Sequence, residues 1–561
     1  MIGKILNLTR NENSKQFKKI SIKILIALIM IFAIALPIII NYTNSKEKNY
    51  MLEGDKHNLN YIESRITELS NKTTKESKIE KLFVEAEKEY YQLRIDNKVK
   101  YTERWKEEEL NSYLSNSCKV VIIDSILNKV DNKVILNAME VAYSINPGDV
   151  DGYFTLSQDK LKEEKNKLIK ENEDAKKSII SNDYIAYLNK SIKKLENSIK
   201  DNTKQLDDTK KALEKDKDNK ELNNQLENIK RGIDLDKNIL QINQYRLKNK
   251  IPYDINDWKN NTLTDIEYKT QDISAPMLTE EEYKIQTSQG NDSLGKTYDD
   301  YKQIYTENKA KNEKGIKLGW YSLENNIPQL EFDNSARGIV DKSYDIFVMI
   351  SGILAIIIAG SIVSAEFSKG TIRLLLIRPV SRFKILLSKL LSVFLIGYIV
   401  LLVSVLLNTI SSGFVYGFNS LSTDVLSIAG ENIIQTNYFV YMIPKMLLSS
   451  VSLIFVISMA FMLSTVVKNT AVSVGLTSIL FLGSMPITMI LANLKLGAVT
   501  QYILAYVNLP MFKISPFMAE MLKTQYGITL SIETGAVQLL ICSVVFIVLS
   551  FISFMKSDIK N

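Results

Sequence analysis

The chain has 561 residues, of which 46% are apolar and 24% charged, but these averages combine two different parts. Residues 20–40 and most of 346–555 are strongly apolar, whereas 42–341 are rich in Lys, Glu, Asp and Asn. The formal net charge of +7 is too small for this length to indicate a class of partner. No P-loop of the form GxxxxGKS or GxxxxGKT is present, which excludes ATP binding by that motif. The lone His57 excludes a Ser/His/Asp triad and, with two distant cysteines, offers no metal-ligand spacing.

Six segments are apolar and long enough to cross a hydrocarbon core of about 30 Å, which takes roughly 20 helical residues. Each is predicted to be an α-helix, because backbone groups in lipid find no water to bond. The first is predicted to be an uncleaved anchor, because its apolar run is too long for a signal peptide. The six predicted spans are 20–41, 345–365, 389–410, 443–467, 470–492 and 535–555.

Basic residues orient these spans, since Lys and Arg concentrate in cytoplasmic loops. They are frequent in residues 1–19, in the loop 366–384 and in the tail 556–561, and Lys468 lies in the turn between the fourth and fifth spans. The connection at about 411–437 has no Lys or Arg. This alternation predicts that both termini are cytoplasmic.

The N-terminal segment 1–19 is predicted to form an amphipathic helix on the inner membrane surface, because Ile and Leu alternate there with basic residues. Lys445, near the external end of the fourth span, is predicted to snorkel to the interface. The spans otherwise carry few ionisable residues, which argues against an ion-coupled carrier.

Residues 42–341 are predicted to form a mainly helical extracellular domain. Apolar residues spaced among charges predict helices over about 59–117. The Val- and Ile-rich runs 120–123 and 134–136, followed by the turn signal at 146–149, predict a compact patch that can include short strands.

A helical hairpin is predicted at about 188–247 within this domain. On both arms the apolar residues advance by alternating steps of four and three, which is typical of a coiled-coil seam. The two series mirror each other about a polar turn, so the arms are predicted to be antiparallel and to extend roughly 39 Å. The arm is interpreted either as a spacer or as a docking arm for a substrate or partner. Its seam residues are Leu188, Leu195, Leu206, Leu213, Leu222, Ile229, Leu240 and Leu247.

The connection 493–534 separates the last two spans and contains apolar runs that are too short to cross the membrane. Helices that re-enter the outer leaflet explain this pattern, and an ordinary interfacial loop is the alternative.

The stretch 365–382 joins the second and third spans and reads AEFSKGTIRLLLIRPVSR. Gly370 permits a break after the span, and Thr371 can cap a short helix. Residues 371–377 are apolar but too short to cross the membrane, which favours an interfacial helix or a segment that docks in a groove of a cytosolic partner. Alternatively, the basic residues of this stretch simply flank the spans.

This stretch resembles the cytoplasmic loop of ABC type-2 permeases, where an acidic residue, Gly-Thr, an apolar run and Pro-x-Ser-Arg follow one another. The resemblance is specific over about 20 residues and does not extend to 42–341. It implies that the loop 366–384 contains a coupling helix that seats on a separate ATP-binding subunit. Glu366 and Arg373 are expected to make polar contacts with that subunit or with the N-terminal segment. The residues assigned to coupling by this resemblance are Glu366, Gly370, Thr371, Arg373, Leu374, Leu375, Arg378, Pro379, Ser381 and Arg382.

The resemblance further implies a non-catalytic permease subunit of an ATP-driven exporter in the bacterial plasma membrane. The chain itself is expected to bind no cofactor, since ATP and Mg would be held by the partner ATPase subunit. A second permease copy, identical or related, and membrane lipid are the other expected partners, and nucleic acid is not one. The expected cargo is a peptide antibiotic, a bacteriocin or a lipid-like molecule. A different class is an ATP-independent scaffold or receptor whose extracellular coiled coil binds a wall component or a secreted protein.

Overall fold

The chain forms two compact units in the computed structural model. The membrane unit comprises Met1–Ser45 and Ala275–Asn561, and the polar unit comprises Lys46–Ser274. The structure describes residues 2–45, 50–100, 103–139, 150–216, 219–290, 297–372, 380–494 and 530–556, with isolated positions between some of these ranges.

Most of the described residues are helical. The first ten α-helices are α1 Ile2–Lys18, α2 Ile20–Ser45, α3 Tyr50–Ser70, α4 Lys75–Asp96, α5 Arg104–Leu127, α6 Asn132–Met139, α7 Gln158–Ser181, α8 Tyr184–Lys215, α9 Lys220–Lys248 and α10 Trp258–Ser274. The others are α11 Glu280–Ser288, α12 Tyr298–Asn325, α13 Ala336–Ile362, α14 Ser364–Ser368, α15 Arg382–Tyr416, α16 Tyr438–Val466, α17 Thr470–Leu482, α18 Ser484–Asn493 and α19 Ile532–Lys556. Two strands, β1 Val425–Ala429 and β2 Asn432–Thr436, pair as an antiparallel hairpin.

The predicted all-α polytopic membrane fold is confirmed. By length and composition, five described helical segments can cross a membrane. They are α2, the combined segment of α13 and α14, and the helices α15, α16 and α19. A sixth span results if α17 and α18, which are bent by 64°, are counted together.

The predicted fifth span, 470–492, is therefore broken rather than continuous. Gly483 separates the two helices, and Pro486 lies in the first turn of α18. Proline has no backbone N–H, and its ring clashes with the carbonyl group four residues earlier, so a straight helix cannot pass through this point. Hydropathy alone does not register such a break.

At two other points in the spanning helices, backbone groups that lack a helical hydrogen bond are bonded by side chains. Pro37 in α2 cannot bond the carbonyl of Ala33, and Asn408 of α15 donates to that carbonyl at 3.2 Å. Where α13 gives way to α14, the Ser464 hydroxyl of α16 accepts from the backbone N–H of Ser364 at 2.9 Å. These bonds matter because an unpaired backbone group in lipid costs several kcal/mol.

The helix α12 contacts the β-hairpin within the membrane unit. Lys317 donates to the Glu431 carbonyl at 2.8 Å, Lys314 pairs with the Glu431 carboxylate at 3.1 Å, and Gln435 donates to the Tyr321 hydroxyl at 2.9 Å. Part of the predicted extracellular segment 42–341 therefore belongs to the same compact unit as the spanning helices. The extracellular location of that segment stays a prediction.

The polar unit is built from helices α3–α10. The predicted possibility of short strands at 120–123 and 134–136 is wrong, because these runs lie in α5 and α6. Ile122, Ile123 and Ile135 are completely buried there. Packing of these side chains between helices overrides the β-propensity of the branched residues.

Helices α8 and α9 pack side by side as the arms of the predicted hairpin. The Ser198 hydroxyl donates to the Asp236 carboxylate at 2.7 Å, and Asn243 donates to the Ser191 hydroxyl at 3.2 Å. The pairing of rising with falling residue numbers shows that the arms are antiparallel. Leu188 is fully buried, and the other predicted seam leucines and Ile229 are half-buried. The supercoil and the function of this arm stay predictions.

Candidate functional site

The predicted coupling residues that the structure describes lie where α13 and α14 end and where α15 begins. Glu366 lies in α14, Gly370 and Thr371 follow it, Ser381 precedes α15 and Arg382 begins it. Gly370 has φ +69°, a left-handed conformation that favours glycine and allows the chain to turn away from the span. The remaining residues of the prediction, Arg373, Leu374, Leu375, Arg378 and Pro379, lie outside the described residues.

Glu366 lies in a polar cluster around the buried side chain of Lys389. One carboxylate oxygen accepts from the Thr371 hydroxyl. The other is 3.4 Å from the Lys389 ammonium and 3.8 Å from the Lys15 ammonium. The expected contact between Glu366 and the N-terminal segment is therefore present, through Lys15.

Lys389 is the centre of this cluster, and its side chain is only 1% exposed. Its ammonium donates to the Glu12 carboxylate at 2.9 Å, to the Ile362 carbonyl at 3.2 Å and to Glu366 at 3.4 Å. An ammonium has three donors, so this set satisfies it completely. We call Glu12, Lys15, Glu366 and Lys389 the Lys389 cluster.

The hydropathy pattern places Lys389 at the boundary of the predicted third span, 389–410. That span was predicted to begin at 389, whereas α15 begins seven residues earlier, at Arg382. Lys389 consequently lies about two turns inside the helix. A signal was present in the sequence, because Glu12 is the single acidic residue among residues 1–19.

The predicted N-terminal helix is present as α1, but a polar face of it is buried. Thr9, Glu12 and Gln16 are at most 8% exposed, and Asn13 bonds the Ser392 hydroxyl of α15. The spacing of Thr9, Glu12 and Gln16 places them on one side of the helix. The first helix is thus held against the third span by hydrogen bonds and ion pairs.

Arg382 joins the beginning of α15 to the end of α19. Its guanidinium donates to the Met555 carbonyl at 3.2 Å. Ser381 is extended at the position before the helix, with φ −65° and ψ 144°. The two ends of the described loop are therefore tied to different helices, Glu366 to α1 and α15, and Arg382 to α19.

The electrostatic environment stabilises the charged form of Glu12. Burial raises the pKa of this carboxyl group, but the ammonium groups of Lys389 and Lys15 lower it more, and the net pKa lies below the ordinary value of 4.5. Lys19, at the junction of α1 and α2, has a lowered pKa because of burial and the nearby charges of Lys369 and Lys389.

The lowered pKa of Glu12 predicts an acid-sensitive contact between α1 and α15. A carboxyl group with a depressed folded-state pKa stabilises the fold above its unfolded pKa, and this contribution is lost as pH falls through the folded pKa. We expect wild type to unfold at a higher temperature than Glu12→Gln at pH 7, and we expect the difference to close below pH 4.5. Thermal unfolding in neutral detergent measures the unfolding temperatures of wild type and Glu12→Gln at each pH. Glu324→Gln, which removes an exposed carboxylate, is the control, and a difference that is constant with pH would contradict the prediction.

These elements define a polytopic membrane protein in which the connection between the second and third spans is bonded to an N-terminal helix. The profile described as "ABC-2 family transporter protein" matches residues 151–559, and the chain belongs to this transporter family. It is also 34% identical over 250 residues to the uncharacterized protein YhcI of Bacillus subtilis strain 168, an alignment that covers 44% of this chain and 76% of that protein. No solved structure matches the chain significantly.

Membership of this family makes the chain a transmembrane transporter subunit. Permeases of the family are generally non-catalytic membrane subunits that work with an ABC ATPase. Together with the apolar helices, this establishes a multi-pass membrane protein.

Proposed function

We propose that the chain is the permease subunit of an ATP-driven exporter in the bacterial plasma membrane and that a separate ATPase subunit docks on the loop 366–384. The observation that supports this most is the Lys389 cluster, which is centred on a buried ammonium group directly beside that loop. Glu366 is bonded to Lys389 and lies close to Lys15, so a movement of the loop acts at once on α1 and on the third span.

In this mechanism the ATPase moves the loop and the Lys389 cluster passes the movement to the spans. Because buried ion pairs have strict geometric requirements, a shift of Glu366 cannot leave Lys389 and Glu12 in place without breaking charge-assisted bonds. Two permease copies, identical or related, form the pathway at their interface. A peptide antibiotic, a bacteriocin or a lipid-like molecule is the cargo, and α8 and α9 form an extracellular arm that receives it or acts as a spacer.

Glu366→Gln tests the proposed coupling. The amide keeps the size of the side chain but removes the charge that faces Lys389, and we expect ATPase stimulation to fall about tenfold or more, because bonds to charged groups are the strong ones. The measurement is ATP hydrolysis by an ABC ATPase subunit that co-purifies with the permease, with the permease reconstituted in liposomes. Glu533→Gln, at an exposed carboxylate of α19, is the matched control.

Two outcomes separate this function from the alternative. If wild type neither recruits nor stimulates any P-loop ATPase, the exporter proposal fails. If Glu366→Gln is expressed normally and changes neither transport of the cargo nor the resistance of the cells to it, the alternative is favoured. That alternative is an ATP-independent scaffold that binds a wall component or secreted protein.

A further inference from the structure

A cavity of about 370 Å³ lies within the polar unit, where α4, α5 and α7 meet. The helix α5 packs against both of the others. The Tyr113 hydroxyl of α5 donates to the Glu89 carboxylate of α4 at 2.5 Å, and the Asn172 amide of α7 donates to the Ser117 hydroxyl of α5 at 2.9 Å. The volume is at the lower end of the range of ligand sites, which is about 300–1,000 Å³. It is large enough for a few side chains of a peptide.

Apolar side chains form part of the cavity wall, and two large ones are exposed. Leu82 of α4 is 45% exposed and Ile169 of α7 is 38% exposed. Val120 and Val121 of α5 line the same cavity and are half-buried. Single apolar residues are common on protein surfaces, but here four of them share one cavity. A ligand that covers them removes apolar area from water.

Carboxylates outnumber basic groups in the same lining. Glu85, Glu89 and Glu173 line the cavity together with one basic residue, Lys176. Glu85 is 44% exposed and lies 3.6 Å from Lys81, and exposed pairs of this kind are weak. Glu173 is exposed and makes no hydrogen bond or ion pair with any described residue. The lining therefore attracts positive charge.

A buried acceptor adds to these carboxylates. The Oδ1 atom of Asn172 is buried and accepts no hydrogen bond from the described part of the chain, whereas its amide nitrogen also donates to the Tyr113 carbonyl at 3.2 Å. Most buried polar atoms have a hydrogen-bond partner, so one without a partner requires an explanation. A ligand that donates hydrogen bonds and carries positive charge supplies what this lining lacks.

The extent of the lining favours a short peptide segment as this ligand. It covers eight residues on two of the helices, 82–89 on α4 and 169–176 on α7. Eight helical residues rise by about 10 Å. About three residues of extended chain have that length. A small inorganic cation would leave the apolar wall uncovered, whereas a peptide of alternating basic and apolar residues contacts both kinds of wall.

We propose that this cavity binds a basic amphipathic peptide segment, with its apolar side chains against Leu82 and Ile169 and its basic groups at the carboxylates of the lining. The assignment deepens the proposed function, because it selects a basic peptide from the proposed cargo classes, and its role in transport rests on that function. Binding itself requires no ATPase subunit. In the predicted orientation the polar unit is extracellular, so the peptide meets the cavity outside the cell.

The binding test uses the full-length chain in neutral maltoside detergent without any ATPase. Four amidated peptides with a fluorophore at the N-terminus separate the two kinds of contact: Lys-Leu-Lys-Leu-Lys, Gln-Leu-Gln-Leu-Gln, Glu-Leu-Glu-Leu-Glu and Lys-Ser-Lys-Ser-Lys. Fluorescence anisotropy measures their binding, and empty micelles give the background. We expect the Lys-Leu peptide to bind about tenfold more tightly than the Gln-Leu and Lys-Ser peptides, because each of these lacks one kind of contact. The Glu-Leu peptide should be repelled.

Substitutions in the lining identify the contacts. Glu85→Gln, Glu89→Gln and Glu173→Gln combined should weaken the Lys-Leu peptide about tenfold, a loss that the Gln-Leu peptide does not share. Leu82→Ser should weaken the Lys-Leu peptide about fivefold and leave the Lys-Ser peptide unaffected. Glu163→Gln, at an exposed carboxylate of α7 outside the cavity, is the matched control and should change nothing. If the triple variant fails to fold, Glu173→Gln alone should weaken the Lys-Leu peptide about two- to fivefold.

Equal binding of the Lys-Leu and Gln-Leu peptides, or of the Lys-Leu and Lys-Ser peptides, would overturn the inference. Unchanged binding in a folded triple variant would do the same. The inference also fails if the Lys-Leu peptide does not bind, and a Leu82→Cys variant that then links two chains would show that the cavity faces a second copy. Loss of ATPase stimulation with intact peptide binding would instead contradict only the exporter proposal.

Discussion

Lys389→Met is expected to destabilise the membrane unit by about 3–5 kcal/mol, because it leaves the carboxylates of Glu12 and Glu366 without their shared buried cation. Met matches the length of the lysine stem, so lost packing contributes little to this cost. The measurement is thermal or denaturant unfolding of purified protein in neutral detergent, with release of α1 followed by protease cleavage.

Two controls separate charge loss from other effects. Lys369→Met removes an exposed ammonium from the same connection and should cost much less. Combining Lys389→Met with Glu12→Gln and Glu366→Gln removes the unpaired charges and should restore most of the lost stability, because apolar or neutral replacements of a whole buried ion cluster are well tolerated. If Lys389→Met alone is as stable as wild type, the Lys389 cluster does not stabilise the membrane unit.

The triple variant also separates folding from coupling. We expect it to fold but not to stimulate the ATPase, because the charges that transmit the movement of the loop are gone. Recovery of both stability and stimulation would show that the cluster only holds the fold together.

The spanning helices were largely predictable from sequence because lipid imposes a simple requirement on composition and length. Segments of about 20 apolar residues must be helical, and this property is visible without any tertiary contact. What could not be predicted were features that depend on neighbours. The break at Gly483 and the helical state of the run 120–123 both follow from local backbone geometry or packing that hydropathy does not contain.

The boundaries of the spans explain the residues that sequence reasoning missed. Hydropathy places the ends of spans at charged residues and therefore predicts that the second span begins at 345 and the third at 389. In the structure both helices continue through charged residues, because these find buried partners: Lys389 with Glu12, and Asp341 with Lys445. These partners are 377 and 104 residues apart along the chain and cannot be recognised from a hydropathy pattern.

The candidate site was predictable to the extent that a local motif carries it. Glu366, Gly370 and Thr371 were identified from adjacent residues, and the structure places Glu366 and Thr371 in contact. The contact with Lys389 was missed because it joins helices that are separated by the loop. The coupling role of all these residues stays a prediction.

Arg337→Met is expected to have an effect as large as Lys389→Met, at the opposite end of α13. The Arg337 side chain is completely buried and pairs with Asp333 at 2.7 Å. It also donates to the carbonyl oxygens of Pro328 at 2.7 Å and of Thr423 at 3.1 Å, and to that of Asp424. One guanidinium therefore links the residues that precede α13 to the residues that precede β1.

The substitution leaves the buried Asp333 carboxylate without its cation and three carbonyl groups without the guanidinium donor, and we expect a loss of about 3–5 kcal/mol in the free energy of unfolding. Denaturant unfolding in neutral detergent measures this loss. Arg382→Met, at an exposed guanidinium, is the matched control and should cost under about 1 kcal/mol. Equal stability of the two variants would contradict the prediction.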